Sequence, residues 1–286
     1  VEAEDVRHVG VVGSGLMGSG IVEVCASAGL QVTFVEGSGE LVDAGTARIT
    51  RSLDAAVDRG KLEAAERDGA LGRIRGADDL AELADVDLVI EAATEAPEAK
   101  RAIFERLGRI TRPEIVLASN TSSIPIATLG GASGRADRVI GMHFFNPVPV
   151  MGLIELTPSA ATSEETVGFA AAFGTEVLNK TCVRSSDEAG FIVNRLLIPY
   201  LFDAIALYER GFATREDIDT AIQLGLAHPM GPLRLADLIG LDTVLSIGQV
   251  LHGAFGDDRY EAPAMLRSLV ASGKLGRKSG EGFYRY

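Results

Sequence analysis

The chain is poor in the residues that usually announce metal or redox chemistry: 286 residues hold only two cysteines, Cys25 and Cys182, and four histidines. The cysteines lie far apart, in neither metal-like nor redox-motif spacing, so both read as small core thiols of a reducing compartment. His8, His228 and His252 have no ligand partners at metal spacing, and no metal is expected. Basic residues are also scarce. Against 40 acidic residues stand 27 Lys and Arg, a formal net charge of −13. That balance disfavours nucleic acid or an anionic membrane as the main partner, because both need a clustered positive surface. A small anionic ligand stays open, since a few arginines or a helix N-terminus suffice for one. Long unbroken apolar runs are missing too. The most apolar helix-like stretch, "GFIVNRLLIPYLFDAIAL" (190–207), carries Asn194, Arg195, Pro199 and Asp203, which argues against a membrane span. The acidic start "VEAEDVRHVG" is unlike a signal peptide, and a cytoplasmic location is expected.

What is present points to a folded α/β protein. Hydrophobic residues make up 47% and charged residues 23%, a composition that can bury a core. "HVGVVG" (8–13), "QVTFVEG" (31–37), "VDLVIEAA" (86–93), "EIVLASN" (114–120), "RVIGMHFF" (138–145) and "GLIELTP" (152–158) read as strands. Helical stretches separate them, among them 16–29, "LVDAGTARITRSLDAAVDRG" and "KLEAAERDGALGRI". Such alternation predicts parallel βαβ units covered on both faces. From about residue 186 the apolar spacing becomes helical, with breaks at "RGFAT", "AHPMGP", "LIGLD" and "FGDD". The reading is a Rossmann-like, doubly wound, mostly parallel domain over 1–185, then an all-helical domain of about five helices over 186–286. Pro199 should kink the first of these helices, and His228 is expected to cap or end a helix before Pro229.

The first strand runs into Gly13-Ser14-Gly15-Leu16-Met17-Gly18. A lone G-x-G-x-x-G is weak, but here a strand precedes it, a helix follows, and Glu36 ends the next strand. Gly13 permits the tight turn, Gly15 lets the backbone approach a pyrophosphate, and Gly18 allows close helix–strand packing. Glu36 can accept from the adenosine ribose hydroxyls and would repel a 2′-phosphate. Gly37-Ser38-Gly39 offers no arginine to greet one, so NAD is favoured over NADP. A flavin could use the same fingerprint, and a purely structural turn is the bland reading.

Three polar clusters lie at or beyond strand carboxyl ends, where an open α/β sheet places its ligand crevice. They are Glu95 to Lys100, Asn120 to Ser123, and His143 to Pro149. Glu155, twelve residues beyond His143, sits in the apolar "LIELTP" and needs a partner there. A strand returning beside the first would set it against His143 and fix the imidazole tautomer. Alone, a strand-end histidine is more often structural than catalytic. Ser122 and Ser123 read equally well as turn or N-cap residues, and no Gly-x-Ser-x-Gly supports a hydrolase serine. Asn194 inside an apolar helix is costly unless bonded. The prolines of 147–149 stiffen the exit from the His143 strand.

The segments "GVVGSGLMGSGI", "SNTSSIPI", "GMHFFNPVPVMGLIEL", "GFIVNRLLIPYLFDA", "HPMGPLRLADLIGLD" and "GRKSGEGFYRY" resemble the 3-hydroxyacyl-CoA dehydrogenase family, in the family's order and over nearly the whole chain. The resemblance implies an NAD domain, a helical domain that mediates a homodimer, and NAD-dependent oxidation of an (S)-3-hydroxyacyl-CoA. By position, His143 would be the general base, Glu155 its orienting carboxylate, and Ser122 and Asn194 substrate contacts. Gly13, Gly15, Leu16, Met17, Gly18 and Glu36 would bind the cofactor. Glu95, Lys100, Asn120 and Asn146 would line its nicotinamide side, and Ser52 and Arg59 would reach CoA. The acid after the second strand, often Asp in relatives, is Glu36 here. The rival readings are a longer or dicarboxylic acyl-CoA or a sugar acid as substrate, a non-catalytic NAD-binding protein, and a hydroxyacid reductase with a catalytic lysine on its helical domain. "GFIVNRLL" offers Asn and Arg but no Lys for the last of these.

Overall fold

The computed structural model describes residues 2–286, and the chain divides into two units, Val1–Glu188 and Ala189–Tyr286. The first is built on eight strands: β1 (His8–Val12), β2 (Gln31–Val35), β3 (Ile74–Ala77), β4 (Leu88–Glu91), β5 (Val116–Ser119), β6 (Val139–Phe144), β7 (Leu153–Pro158) and β8 (Thr181–Arg184). Their order is β3-β2-β1-β4-β5-β6-β7-β8. From β3 to β6 neighbours run parallel, β7 turns back antiparallel to β6, and β8 lies parallel to β7. The strand order reverses between β1 and β4, so a ligand crevice is expected at the carboxyl ends of these two strands.

Period-two alternation decides what each face of the sheet carries. Val9 and Val11 of β1, Leu88 and Ile90 of β4, and Ile140, Met142 and Phe144 of β6 join one core. That core includes Ile21, Val22 and Cys25 of α1 (Leu16–Ser27) and Ile49 and Leu53 of α2 (Gly39–Asp58). Val12, Val89, Leu117 and Val139 join a second core with Phe104 and Leu107 of α4 (Pro97–Ile110) and with Ile126 and Leu129 of α5 (Ile126–Ser133). Each such side chain contributes about 1.5–3 kcal/mol on full burial. The same alternation puts Glu91, Ser119 and His143 on the α4/α5 side of their strands, in step with Val89, Leu117 and Val139. Polar residues thus replace apolar ones where the strands end.

The segment 61–74 departs from the helical reading. Helix α3 stops at Leu71, within Ala64–Leu71, and Ile74 opens the edge strand β3. That strand is short, contains Arg75 and Gly76, and is not fully buried, so it lacks the apolar run that marks the inner strands. Strand β8 was unforeseen for the same reason: Thr181 and Arg184 are exposed and its middle is half-buried. Between β7 and β8 lies α6 (Glu164–Ala172), which continues into a π-turn over Phe173–Val177. The Asn146–Pro147 bond is cis.

The second unit contains α7 (Val193–Glu209), α8 (Arg215–Gly225), α9 (Pro232–Ile239), α10 (Leu241–Phe255) and α11 (Ala264–Ala271). Pro199 lies inside α7, whose Ile198, Leu201, Phe202 and Ile205 meet Leu233, Val244, Leu251 and Leu266 in one core. Two buried aspartates tie this unit together. Asp237 accepts from the amides of Phe283 and Tyr284, both at 2.9 Å, and Asp219 accepts from Leu233 N at 2.8 Å and from the Tyr284 hydroxyl at 2.8 Å. Burial raises the Asp237 carboxyl above its ordinary value although the two amides and the Tyr286 hydroxyl oppose it. His228 does not end a helix as expected. Helix α8 stops at Gly225, and the imidazole lies beyond it, edge-on to Tyr200 at 6.1 Å. Among the described residues no single helix is long and apolar enough to cross a membrane, and one sharply bent pair, α9 with α10, passes by length and composition only.

Candidate active site

The loop after β1 carries the conformations that its glycines predict. Gly13 sits at φ 91°, a region that favours glycine, and a Cβ on Gly18 would collide with the Gly13 carbonyl. A Cβ on Gly15 would meet nothing within 4 Å, so this peptide faces open space at the first turn of α1. A pyrophosphate fits that space: backbone N–H groups of a helix N-terminus are the donors, and no side chain crowds them. Leu16 is exposed and Met17 half-buried beside the loop. Glu36, at the end of β2, is fixed to the loop. Its Oε1 accepts from Ser14 N at 2.5 Å and from Ser14 Oγ at 2.8 Å.

His143 and Glu155 meet as the hairpin proposal requires. The antiparallel register sets them directly opposite, and His143 Nδ1 lies 2.9 Å from Glu155 Oε2. Glu155 is fully buried and His143 is 7% exposed, so water screens the pair little. A carboxylate oxygen can only accept, so Nδ1 carries the hydrogen and Nε2 becomes the basic nitrogen. Phe145 holds the ring edge-on at 4.7 Å. Asn120 braces the same strand end, its Oδ1 accepting from Phe144 N at 2.8 Å.

A second buried pair lies at the ends of β4 and β5. Lys100 Nζ donates to both oxygens of Glu91, at 2.6 and 2.8 Å, and lies 3.4 Å from Glu95 Oε2. Ser119 Oγ donates to Glu91 at 2.7 Å, and Ala93 N donates to it at 2.7 Å. Glu95 in turn accepts from Thr121 Oγ1 at 3.0 Å and from Ser122 N at 2.8 Å. Lysine, two glutamates and the Asn120–Ser122 turn therefore form one connected network. Sequence reasoning placed Glu95, Lys100, Asn120 and Ser122 near one another but missed Glu91 and Ser119, and it gave Thr121, inside the Asn120 to Ser123 cluster, no role of its own. The signal for Glu91 was an acid closing the apolar run "DLVIE", the same oddity that drew attention to Glu155.

Asn146 is exposed, three residues beyond His143, and Ser122 is half-buried. Asn194 is the second residue of α7 in the helical unit and is buried there. Ser52 and Arg59 are exposed on α2 and at its C-cap. Ser52 shares a hydrogen bond with Glu23 of α1, whose carboxyl is raised above its ordinary value chiefly by burial. Among the described residues no group of three or more His, Cys, Asp or Glu could hold a metal ion.

A doubly wound sheet with a glycine loop at its switch point, an acid at the end of β2 and a carboxylate-held histidine two strands past β4 defines a dinucleotide-dependent dehydrogenase. Comparison with known proteins narrows the class. Residues 8–188 match the family model "3-hydroxyacyl-CoA dehydrogenase, NAD binding domain", and 190–286 match "3-hydroxyacyl-CoA dehydrogenase, C-terminal domain". A Mycobacterium tuberculosis 3-hydroxybutyryl-CoA dehydrogenase is 50% identical over 285 residues, covering 99% of this chain and 100% of that protein. A probable 3-hydroxybutyryl-CoA dehydrogenase of Deinococcus radiodurans is 48% identical over 277 residues, 97% of this chain and 99% of that protein. The crystal structure of (S)-3-hydroxybutyryl-CoA dehydrogenase PaaH1 from Ralstonia eutropha superposes with a TM-score of 0.91 at 44% identity, covering 99% of each chain. The chain belongs to the 3-hydroxyacyl-CoA dehydrogenase family and is an NAD-dependent oxidoreductase.

Proposed function

We propose that this chain interconverts (S)-3-hydroxybutyryl-CoA and acetoacetyl-CoA, with His143 as the group that moves the hydroxyl proton. The observation that carries the reading is the 2.9 Å contact of His143 Nδ1 with the buried Glu155 carboxylate, in a chain 50% identical to a 3-hydroxybutyryl-CoA dehydrogenase. When bound, NAD supplies the acceptor for the hydride that leaves C3. His143 Nε2 takes the hydroxyl proton as the C3 carbonyl forms, and Glu155 steadies the resulting imidazolium. In reduction the imidazolium returns that proton to the 3-oxo oxygen. General-base assistance of this kind is worth about 10²–10⁴-fold.

The other residues take the places their family positions suggest. Ser122 and Asn194 hydrogen-bond the substrate, and Ser52 and Arg59 meet the CoA portion. Glu36 accepts from the adenosine ribose, while Glu95, Lys100, Asn120 and Asn146 shape the nicotinamide side. The Lys100 ammonium, already held by Glu91, acts there through Glu95 rather than by direct contact. The chain acts as a homodimer through its helical unit, a reading supported by exposed Phe212, Leu224 and Leu226 on that unit. Two free cysteines support a reducing, cytoplasmic setting.

The test follows NADH consumption by absorbance with acetoacetyl-CoA, then with longer and dicarboxylic 3-oxoacyl-CoAs and free acids. Turnover is expected to be fastest with acetoacetyl-CoA. Faster turnover of a longer ester would move the substrate assignment, and turnover of free acids alone would end it.

A further inference from the structure

The glycine loop is gripped from two sides by opposite charges. On one side Ser14 N and Ser14 Oγ donate to Glu36 Oε1. On the other, Arg48 Nη1 from α2 donates to the Ser14 carbonyl at 2.6 Å. The arginine reaches the loop because α2 lies against it: a Cβ at Gly45, one turn before Arg48, would collide with the Ser14 side chain. Beside this bracket the backbone is uncrowded, since a Cβ at Gly37 or Gly39 would meet nothing within 4 Å. A guanidinium and the carboxylate that ends β2 thus hold the same loop residue, Ser14, from its carbonyl and its amide ends. The residues next to Glu36 in sequence gave no hint of it.

We propose that Arg48 is a latent contact for a 2′-phosphorylated dinucleotide, and that Glu36 alone keeps this chain selective for NAD. The two side chains act on the same ribose substituent with opposite sign. A carboxylate accepts from a 2′-hydroxyl and repels a 2′-phosphate, whereas the planar guanidinium fork matches phosphate oxygens. Nothing else about the loop has to change for the cofactor preference to move. The inference rests on the reading of Glu36 as the ribose acceptor.

The test is equilibrium fluorescence titration of NADH and NADPH into the full chain and its Glu36→Gln, Arg48→Ala and doubly substituted forms. Glutamine keeps an oxygen that can accept from Ser14. Glu36→Gln is expected to tighten NADPH by about tenfold or more, the equivalent of one removed charge repulsion. Adding Arg48→Ala should take back about tenfold of that gain, with NADPH affinity falling at least about fivefold more than NADH affinity, since a loosened loop alone would weaken both alike. Should the double variant fail to fold, Arg48→Lys in the same background should still lose at least about threefold in NADPH affinity, because lysine lacks the fork. NADPH affinity that stays high without Arg48 would overturn the inference and leave the Glu36 reading standing. Glu36→Gln binding both nucleotides as the parent does would overturn both. Arg48→Ala that raises the KM for acetoacetyl-CoA, with no loss of NADPH affinity in the Glu36→Gln background, would assign the arginine to the thioester and refute the proposal.

Discussion

Two buried glutamates, on β4 and on β7, three positions apart along the sheet, meet cations of different kinds. Glu155 on β7 holds the imidazole of His143 through one contact at 2.9 Å, and Glu91 on β4 holds the ammonium of Lys100 through both oxygens, at 2.6 and 2.8 Å. The first partner can give up its Nε2 proton and keep its Nδ1–H hydrogen bond to the carboxylate. The second is a fixed charge whose removal would leave Glu91 and Glu95 uncompensated. The same side-chain chemistry toward the carboxyl ends of the parallel strands therefore serves a moving proton in one place and a rigid turn in the other. The fold supports this division. The β6–β7 pair is antiparallel, which puts one histidine squarely opposite one acid, while the parallel β4–β5 pair sets Glu91 against Ser119 and lets helix α4 bring the lysine from above.

Breaking each pair separates the two roles. His143→Ala should lower kcat by about 10²–10⁴-fold, with the NADH Kd held within about threefold. Lys100→Met should act mainly on stability, costing about 3–5 kcal/mol in urea unfolding because a buried carboxylate loses its partner. Combining it with Glu91→Gln should recover much of that loss. Glu155→Gln comes next, with kcat down by about 10²-fold because the amide can present a donor to Nδ1 and favour the wrong tautomer. A mainly structural pair at β6–β7 would instead lose stability on substitution and retain turnover.

The smallest effect concerns a third buried glutamate, Glu23, whose carboxyl meets only a hydroxyl among the influences that shift it. Burial raises it and the Ser52 hydrogen bond opposes, so the folded chain binds this proton more tightly than the unfolded chain does. Wild-type stability therefore gains as pH falls from neutral through the raised value, and the charged form is a liability above it. Glu23→Gln should raise stability at neutral pH by up to about 1 kcal/mol, with the advantage shrinking as the pH is lowered. Thermal unfolding at a neutral and a mildly acidic pH checks the sign.

The same contrast explains what could be read from the sequence. The inner strands were visible because strands buried on both faces are near-continuous apolar runs. An acid inside such a run stood out, and the twelve-residue step from His143 to Glu155 fitted a hairpin. The edge strands β3 and β8 are short, polar and partly exposed, so their pairing depends on neighbours distant in sequence. Glu91 was equally odd in its run, but its partners come from another strand and a following helix, and no local spacing joins them. Arg48 was hidden for a related reason: its contact with Ser14 spans 34 residues and depends on how closely α2 approaches the loop. Lys100 was placed in the right neighbourhood, but its burial could not be read from a helical segment with charges on every side.

The central claim is that His143 carries the reacting proton, and the pH dependence of the two directions tests it most directly. Reduction of acetoacetyl-CoA needs the imidazolium and oxidation of 3-hydroxybutyryl-CoA needs neutral imidazole. The account predicts that kcat/KM for reduction falls as pH rises, that kcat/KM for oxidation rises over the same interval, and that both limbs vanish in His143→Ala. Two limbs that persist unchanged in that variant would contradict it.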